Sequence, residues 1–514
     1  MNDHALLPSR PEVLERARAA LDRNGLVGLE TIPTEQAAGR VTARAVRARC
    51  PSPTAHVSTR DGWAVEAALL AQASPENPVL LAIGTDCSQV NTGWALPSEA
   101  HGVVPLEEAA PQEDGRLAVT APIRPGQHVR PRGEDIRTGD VVLGPDTLVG
   151  PAQVGALLTA GVFELPVYER VRVTFLSTGD EILPLAERGL PRPGQVVESN
   201  APAYCALARQ WDAQVEFAPP VPDDGEALAR AVRAALDSGA HVVAVGGGSC
   251  NSDKDYSYRI FDSLGRVLSD GVAMVPGRPG ILALAEGRLL AGVPGNPAGG
   301  LGFMEEIVGP LVRWLGRRPE PRRAALPAVM ACDVTGRTGV ERLVRVGLGR
   351  AGPDDSGNTI CAAAPLDKLT GLVRSLGRAP GLVRVPPESR GLTAGQAVSV
   401  ELFDPAFDPA SGPSRGLVVV GDWSPRLETL SDELLAAGDG FSLFYGRAKP
   451  DRARDSLARG WALAAAQKAG LDFLTDQPCL SVPLDGDTVL HIPELYRDDP
   501  RVVALLSLII NTKP

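Results

Sequence analysis

The run His241-Val-Val-Ala-Val245 leads directly into Gly246-Gly-Gly-Ser-Cys-Asn-Ser252, and the carboxylates of Asp253 and Asp255 follow at once. An apolar, β-branched run that ends in glycines is typical of a parallel strand whose turn offers backbone N–H groups to an anion, because no Cβ blocks the approach. Carboxylates beside such a site would repel phosphate unless a divalent cation lay between them. The passage therefore predicts an α/β sheet with a site for a phosphate-bearing ligand and a metal ion.

Size, charge and cysteine usage narrow the classes to which the chain can belong. Its 514 residues exceed the size at which single cores stop growing, so we expect several domains. The net charge of −11 argues against a nucleic-acid surface or an anionic membrane face, and no apolar run approaches membrane-spanning length. Seven scattered cysteines without a Cys-x-x-Cys pair, and an opening without a signal-peptide pattern, favour a cytoplasmic protein with neither disulfides nor a zinc site.

Strands and helices alternate on both sides of the glycine turn. The pattern predicts strands at 171–176 and 241–245 and helices at 201–211, 225–238 and 299–315. This alternation is typical of a doubly wound parallel sheet, whose ligands lie beyond the carboxyl ends of its strands. Ser177-Thr-Gly-Asp-Glu181 and the glycine turn both follow such strands, so both can line one crevice.

Other parts of the chain have different patterns. Short apolar runs between Gly and Pro predict a small β domain within 64–150 and a compact β module at 325–403, and the Pro- and Gly-rich stretch 404–415 is typical of a linker. Helices are predicted at 11–23, with Ser9 as the N-cap, and at 34–47. Beyond the linker, a strand at 416–420 and helices at 426–437, 452–469 and 499–510 predict a further small α/β piece.

Two charged segments in the first third of the chain have a chemical and a plain interpretation. Asp61 precedes a glycine in an apolar neighbourhood, which fits either a site carboxylate or an Asp-Gly turn. Arg130 and Arg132 can grip a phosphate while Asp135 helps to hold a metal ion. The same run also fits an internally compensated charged turn.

Further segments that bear on chemistry fall within or near the predicted sheet. Ser177 and Thr178 can donate to phosphate or begin a helix, and Glu198-Ser-Asn200 can bind an amide-bearing ring or cap the helix that follows. Pro276-Gly-Arg-Pro279 and Pro294-Gly-Asn-Pro297 are rigid loops, the first of which carries a cation. Each loop also fits a simple turn.

The order of these segments is more informative than any one of them. Together they resemble the molybdopterin molybdenumtransferase family, which includes MoeA and the gephyrin E domain, over residues 8–403. The seven matching segments are Asp61-Gly-Trp-Ala64, Arg130-Pro-Arg-Gly-Glu-Asp135, Ser177-Thr-Gly-Asp-Glu181, Glu198-Ser-Asn200, Gly247-Gly-Ser249 with Asp255-Tyr256, Pro276-Gly-Arg-Pro279 and Pro294-Gly-Asn-Pro297.

The resemblance implies a multidomain α/β plus β fold in a protein that is usually a homodimer. It divides the chain into a helical connecting domain (8–50 and 137–168), a β lid domain (51–136), a MogA-like doubly wound α/β domain (169–324), a C-terminal β domain (325–403), a linker (404–415) and a small α/β tail (416–514). The implied activity is Mg²⁺-dependent insertion of molybdate into adenylylated molybdopterin with release of AMP. A MogA-type adenylyltransferase or a molybdoenzyme is the expected partner.

The same resemblance implies which residues carry the reaction. The catalytic and metal-binding acids would be Asp61, Asp135 and Asp255. The residues expected to bind the pterin nucleotide are Arg130, Arg132, Thr178, Asp180, Asn200, Gly247, Gly248, Ser249, Arg278 and Asn296. Because the pyrophosphate linkage and molybdate are both anions, Mg²⁺, arginine and turn N–H groups supply positive charge where negative charge builds.

The sequence departs from the family pattern at three places, and the first two, together with a shortened tail, favour an alternative function. Cys250, Asn251 and Ser252 replace apolar and glycine positions in the glycine turn, and Ser252 loses the conformational freedom of glycine. The loop Val275-Pro-Gly-Arg-Pro279 lacks one of the usual lysines and has arginine for the other, and His101 stands where aspartate is usual. The alternative is a catalytically impaired paralogue that binds the molybdopterin nucleotide or senses an oxyanion.

The tail has a resemblance of its own. Residues 421–430 and 493–508 are similar to the opening and closing segments of the periplasmic-binding-protein-like domain fused to some family members. Such domains have two lobes and are longer than 416–514, so one lobe is expected to be missing. The remainder would be a ligand-sensing or interaction module, or else an unrelated α/β cap used for dimer or partner contacts.

Overall fold

The computed structural model describes residues 7–247, 256–353, 359–366, 371–404, 406–408, 411–470, 475 and 477–511. The chain divides into two compact units. The larger unit contains Met1–Leu26, Val171–Leu315 and Pro319–Pro514, and the smaller contains Val27–Arg170 and Gly316–Arg318. Within the described ranges, no helix is both long and apolar enough to cross a membrane.

The first helix, α1 (Arg10–Ala20), is followed by the short α2 (Arg23–Leu26) in the larger unit. Ser9 caps α1, because its hydroxyl accepts from the Glu12 N–H while the Glu12 carboxylate accepts from the Ser9 N–H at 2.6 Å. This reciprocal capping box satisfies donors that the first helical turn leaves free. The helix predicted from Ser9 is therefore confirmed, although it ends three residues earlier than expected.

The smaller unit consists mainly of short antiparallel strands. Its sheets have the orders β6-β4-β7 and β5-β9-β8, and three further pairs join β1 to β12, β2 to β11 and β3 to β10. The elements are β1 (Leu29–Pro33), β2 (Val46–Arg47), β3 (Val57–Ser58), β4 (Gly62–Val65), β5 (Val79–Ala82), β6 (Cys87–Val90), β7 (Gly102–Pro105), β8 (Ala109–Pro111), β9 (Arg116–Val119), β10 (Val129–Arg130), β11 (Val141–Leu143), α3 (Pro151–Thr159) and β12 (Glu164–Tyr168).

The helix predicted at 34–47 is wrong. Only a 3₁₀ turn at Thr34–Gln36 is helical, and the segment ends in β2. Gly39 has a φ of 83°, which leaves the helical region, and Val41 and Thr42 form isolated β-bridges. Positive φ at a glycine and β-branched side chains after it both disfavour a continuing helix.

The α/β domain contains the predicted sheet. Its strand order is β16-β13-β17-β21-β20-β18, with the first four strands parallel and β20 antiparallel to both of its neighbours, β21 and β18. The elements are β13 (Arg172–Ser177), β14 (Ile182–Leu183), β15 (Val196–Val197), α4 (Asn200–Gln210), β16 (Gln214–Phe217), α5 (Gly225–Asp237), β17 (Val242–Gly246), α6 (Tyr256–Leu264), β18 (Arg266–Asp270), β19 (Met274–Val275), β20 (Ile281–Ala285), β21 (Arg288–Val293), α7 (Pro297–Phe303) and α8 (Gly309–Leu315). A π-helical turn, Met304–Val308, joins α7 to α8.

The β domain forms a sheet that closes on itself. The order is β19-β24-β25-β22-β28-β26, and β26 pairs again with β24. The edge strand β19 comes from the α/β domain. The elements are β22 (Ala325–Met330), β23 (Val334–Thr335), β24 (Glu341–Pro353), β25 (Thr359–Pro365), α9 (Gly371–Arg378), β26 (Gly381–Val385), β27 (Gly391–Leu392) and β28 (Ala397–Leu402).

The tail is a five-stranded α/β sheet of order β30-β29-β31-β33-β32, in which the first three strands are parallel. The helix predicted at 452–469 is wrong beyond Ala458, because Gly460 has a φ of 68° and the chain then forms β31. The elements are β29 (Gly416–Gly421), α10 (Pro425–Ala436), β30 (Ser442–Arg447), α11 (Pro450–Ala458), β31 (Ala464–Lys468), β32 (Cys479–Pro483), β33 (Thr488–Pro493) and α12 (Pro500–Asn511).

The tail and the β domain share one hydrophobic cluster. The cluster, called here the shared core, contains from the β domain Ala331, Cys332, Ala362, Ala364 and Leu366, and from the tail Val418, Val420, Phe444, Ala453, Leu457, Ala462 and Ala465. Two close approaches fix the joint. A Cβ at Gly347 would lie 2.1 Å from the Phe444 ring, and one at Gly416 would lie 1.8 Å from Leu348 O. The tail is therefore packed into the β domain rather than joined to it only through the chain.

Candidate active site

The backbones that follow three parallel strands meet at the carboxyl edge of the α/β sheet. Gly247, directly after β17, has a φ of 95°, and a Cβ there would lie 2.6 Å from Thr178 O, after β13. A Cβ at Gly295, after β21, would lie 3.5 Å from the Gly247 Cα. Only glycine fits at the centre of this contact. Thr178 and Gly247 therefore lie side by side, as the strand order predicts.

Thr178 and Asp180 bind a loop that the sequence did not single out. The buried Thr178 hydroxyl donates to Asp223 Oδ1 at 3.2 Å, and the Asp223 N–H donates to Asp180 Oδ1 at 3.2 Å. Both side chains thus hold the loop that leads from β16 into α5. The run Pro222-Asp-Asp224 is the part of the sequence that indicates a loop followed by a helix cap. Asp224 caps α5, because its Oδ1 accepts from the Ala227 N–H at 2.7 Å.

Asn200 links the start of α4 to the loop before α7, because its Nδ2 donates to Gly295 O at 2.8 Å. The helix cap is supplied by Glu198, whose Oε1 accepts from the Ala201 N–H at 3.1 Å. The segment Glu198-Ser-Asn200 therefore does what its plain interpretation predicts. The Asn200 contact also ties it to the edge of the sheet.

Two buried polar atoms on this side of the sheet lack a hydrogen-bond partner within the described residues. They are Glu198 Oε2 and the hydroxyl of Tyr204, whose residues are 4% and 2% exposed. Burial, and then the charge of Glu198, raises the pKa of the Tyr204 phenol, so the hydroxyl stays protonated. Buried polar groups are normally paired, and these two could bind a polar ligand or an ordered water. Tyr204 was not identified from the sequence.

The two Pro-Gly loops lie next to each other. Asn296 caps α7, since its Oδ1 accepts from the Ala298 and Gly299 N–H groups at 3.1 and 3.2 Å. A Cβ at Gly299 would be 3.8 Å from the Gly277 backbone nitrogen in the other loop. The Arg278 side chain is exposed beside this contact. An exposed guanidinium next to a crevice is suited to bidentate binding of phosphate.

Part of the predicted site falls outside the described residues. Gly248, Ser249 and Asp255 belong to this part, together with Cys250, Asn251 and Ser252. Their predicted roles therefore stay predictions. The adjacent Ser257, buried in α6, places its hydroxyl 3.5 Å from Gly247 O.

In the smaller unit, Asp61 stands at the start of β4 and is exposed. Its Oδ1 accepts from the Thr92 N–H at 2.6 Å and from the Thr92 hydroxyl at 2.9 Å. These two bonds lower the pKa of Asp61 below its usual value, so the carboxylate is charged at neutral pH. The following Gly62 is required by packing, because a Cβ there would lie 2.2 Å from Val104 O. The sequence did not identify Thr92.

The arginine segment lies beside the Asp61 segment through strand pairing. β10 pairs with β3, so Arg130 lies opposite Val57, four residues before Asp61. Arg130 Nε forms an exposed ion pair with Glu134 Oε2 at 3.0 Å. The Arg132 N–H donates to His56 Nδ1 at 3.3 Å, and Arg132 and Asp135 are both exposed. The Glu134 contact fits the internally compensated turn, while the exposed Asp135 carboxylate fits a ligand role.

The described residues do not by themselves assemble a metal centre. No group of three or more His, Cys, Asp or Glu side chains able to hold a metal ion occurs among them. Asp61 and Asp135 both lie in the smaller unit, and Asp255 is outside the described ranges. A Mg²⁺ site formed by these three acids stays a prediction.

Three family models match consecutive parts of the chain. Residues 11–161 match the MoeA N-terminal region (domain I and II), residues 174–314 match a probable molybdopterin binding domain, and residues 327–403 match the MoeA C-terminal region (domain IV). The last match ends where the β domain ends. The fold and these matches together define a MoeA-type protein whose α/β domain matches a probable molybdopterin binding domain.

Relatives and solved structures agree with this class. The chain is 30% identical over 393 residues to molybdopterin molybdenumtransferase 2 of Mycobacterium tuberculosis, covering 72% of this chain and 94% of the relative. It is 27% identical over 390 residues to molybdopterin molybdenumtransferase of Staphylococcus aureus, covering 73% and 91%. A crystal structure of a molybdopterin biosynthesis MoeA protein from Pyrococcus horikoshii superposes with a TM-score of 0.64 at 25% identity, covering 77% and 99%. The chain belongs to the molybdopterin molybdenumtransferase family, which is a family of transferases.

Proposed function

We propose that this protein takes part in molybdenum cofactor biosynthesis by inserting molybdate into adenylylated molybdopterin and releasing AMP. The observation that carries the proposal is the carboxyl edge of the α/β sheet. Backbones from three strands meet there at Gly247, with the loops of Arg278 and Asn296 beside them. Ligands of doubly wound sheets bind at this edge. The family relationship supports a molybdopterin nucleotide as this ligand.

The side chains at this edge suit a pterin nucleotide. The exposed Arg278 guanidinium can bind phosphate oxygens in a bidentate manner and stabilise charge that builds during cleavage. Asn200 and Asn296 are held at this edge by their bonds to Gly295 O and to the first N–H groups of α7, and amide groups suit the hydrogen-bonding edge of a pterin ring. The buried Tyr204 hydroxyl is kept protonated and can donate.

Magnesium fits the donor set of the smaller unit. Asp61 is exposed and held ionised by Thr92, and both bonds from Thr92 end on Oδ1. Carboxylate oxygens are the ligands that Mg²⁺ prefers, so Asp61 would hold it together with Asp135 and Asp255. The ion would neutralise charge on the phosphoryl oxygens. Arg130 and Arg132 would hold the substrate phosphate from the same unit.

The setting of the enzyme follows from the same proposal. We expect a cytoplasmic homodimer whose partner is a MogA-type adenylyltransferase or a molybdoenzyme. Size-exclusion chromatography with light scattering tests the dimer. A monomer at micromolar concentration would contradict it.

The decisive assay follows AMP release from adenylylated molybdopterin in the presence of Mg²⁺ and molybdate. Asp61→Asn is expected to lower the rate at least about a hundredfold, since it removes a metal-binding charge near the reacting phosphate. Asp114→Asn is the matched control, because Asp114 is an exposed aspartate of the same unit whose partner is Arg116. Tight binding of the nucleotide without AMP release would contradict the transferase and favour the impaired paralogue.

A further inference from the structure

The strand that precedes the Arg278 loop is not part of the α/β sheet. β19 instead joins the edge of the β-domain sheet, where it pairs in parallel with the first residues of β24. The N–H of Glu341, the first residue of β24, donates to Ala273 O at 2.9 Å. The β domain therefore holds the chain immediately before the loop begins.

The loop is closed and supported from two further sides. The Val272 N–H donates to Arg278 O at 2.9 Å, and the Ala273 N–H donates to Pro8 O, in front of α1, at 2.8 Å. On the other side, Gly277 has a φ of 117°, and a Cβ there would lie 3.4 Å from a backbone nitrogen of α7. The backbone that presents Arg278 is thus held by its own closing hydrogen bond, by the chain before α1 and by α7.

A group of ion pairs, called here the Glu341 cluster, surrounds the joint between β19 and β24. Arg10 Nε donates to Glu341 Oε2 at 2.8 Å, and Arg384 Nη1 donates to Glu341 Oε1 at 3.2 Å. Burial raises the pKa of Glu341, but the bonds and charges of the two arginines more than offset this effect, so the pKa lies below its usual value. The cluster comprises Arg10, Glu306, Arg323, Glu341, Arg384 and Glu401.

The same two arginines also bind the helix against which the loop packs. Arg384 Nη2 donates to Glu306 Oε1 at 3.0 Å, and Arg10 Nε lies 3.7 Å from Glu306 Oε2. Glu306 is 5% exposed and lies in the π-helical turn that continues α7. One pair of arginines therefore ties the strand partner of β19 to the helix against which Gly277 packs. The Glu341 cluster therefore contacts both of the elements that hold the loop.

We infer that Glu341 is a positioning residue for the proposed active site. It holds the Arg278 loop in the place where Arg278 can bind the substrate phosphate. It acts through β19 and not on the substrate. The inference rests on the proposed function for the identity of the substrate, whereas the placement of the loop by Glu341 does not depend on it. An uncharged side chain at position 341 would leave Arg10 and Arg384 with a weaker acceptor and would loosen β19.

The test compares Glu341→Gln with the parent in the full chain. Gln keeps the shape of the side chain and removes its charge. Hydrogen exchange of the amides of residues 271–280 is expected to become about tenfold faster. The KM for adenylylated molybdopterin is expected to rise about tenfold, with kcat changed by less than about twofold. The double variant Arg278→Ala with Glu341→Gln is expected to have the same KM as Arg278→Ala alone, because Glu341 acts on KM only through Arg278.

Glu433→Gln is the matched control, because Glu433 makes a bidentate pair with Arg426 at 2.8 and 3.0 Å in the tail. It is expected to change neither the exchange of 271–280 nor KM. If Glu341→Gln does not fold, Arg10→Gln removes the other partner of the same ion pair. Its hydrogen exchange at 271–280 and its KM are then measured in the same manner.

The two readouts separate this inference from the proposed function. Unchanged exchange in 271–280 overturns the inference, and this readout needs no turnover. Faster exchange with a raised KM supports it. Faster exchange with an unchanged KM overturns the active-site role of Glu341 and removes Arg278 from the substrate site, while AMP release by the parent would still stand.

Discussion

The α/β domain and the tail are both parallel sheets with helices, but they cover their faces differently. In the α/β domain, α5 and α6 cover one face, and α4 packs on the other, where the rings of Phe175 and Tyr204 lie 6.0 Å apart. In the tail, α10 and α12 cover one face. The other face is covered by α11 together with the β domain through the shared core.

The difference shows what each region is able to do. The α/β domain buries its sheet with its own helices, so the carboxyl edge is available for a ligand. The tail depends on the β domain for part of its core, which makes it a structural extension of that domain. We therefore expect the tail to unfold together with the β domain. This expectation differs from that of an independent ligand-sensing module.

The largest expected effect comes from breaking the shared core. Phe444→Ala removes a ring that is 9% exposed and packs on Gly347, and it is expected to cost about 3 kcal/mol of the free energy of unfolding. Urea denaturation gives the free energy, and hydrogen exchange shows which segments open. Peptides from β24 and from β29 are expected to lose protection together.

Trp423→Ala is the matched control for Phe444→Ala. Trp423 is an aromatic residue of the same tail but is 43% exposed, so its removal is expected to change stability by less than about 0.5 kcal/mol. Loss of protection confined to the tail of Phe444→Ala would contradict the shared core and restore the independent module.

A smaller effect is expected where the α/β domain differs most from the tail, at the carboxyl edge of its sheet. Gly247→Ala combines a φ of 95° with a Cβ 2.6 Å from Thr178 O, and it is expected to cost about 2 kcal/mol and to weaken nucleotide binding at least about tenfold. Thermal unfolding and equilibrium binding measure the two quantities.

Gly287→Ala separates backbone strain from crowding at the site. Gly287 lies in the β20–β21 turn of the same domain with a φ of 75°, and a Cβ there would meet no atom within 4 Å. The expected cost is about 1 kcal/mol, with unchanged nucleotide binding. Equal loss of binding in both variants would remove Gly247 from the site.

The smallest expected effect is a shift in the pH dependence of AMP release, caused by a change beside Asp61 in the smaller unit. The Thr92 N–H and hydroxyl lower the pKa of Asp61. Thr92→Val keeps the N–H and removes the hydroxyl, so the pKa of Asp61 rises and the carboxylate binds a proton at higher pH. The acid limb of the rate of AMP release is expected to move to higher pH. Thr120→Val, at an exposed threonine of the same unit, is expected to leave the limb in place.

The α/β domain shows how far the sequence could predict the fold. Buried strands with apolar runs and helices with clear caps, such as α5 after Asp224, agree with the predicted elements to within about two residues. The same rules failed in the tail at Gly460, where an alanine-rich run after a helix becomes the buried strand β31. Alanine favours a helix in isolation, but burial on both faces of a sheet also accepts small side chains.

The candidate site was predictable where it depends on strand order and not where it depends on contacts between distant segments. Thr178, Asn200 and Gly247 follow strands or precede helices of one parallel sheet, and topology brings them to one edge. Thr92 is 31 residues from Asp61, and Asp223 is 45 residues from Thr178. Nothing in either local sequence indicates these hydrogen bonds, because they arise only from the packing of loops.

The most direct test of the account maps where adenylylated molybdopterin binds, by hydrogen exchange of the full chain with and without the nucleotide. Bound nucleotide is expected to slow exchange at residues 178–181, 246–247 and 294–300, at the carboxyl edge of the α/β sheet. No change is expected at 421–424, 447–449 and 466–468, which form the corresponding edge of the tail. Slower exchange at the tail edge, with none at the α/β edge, would contradict the central claim.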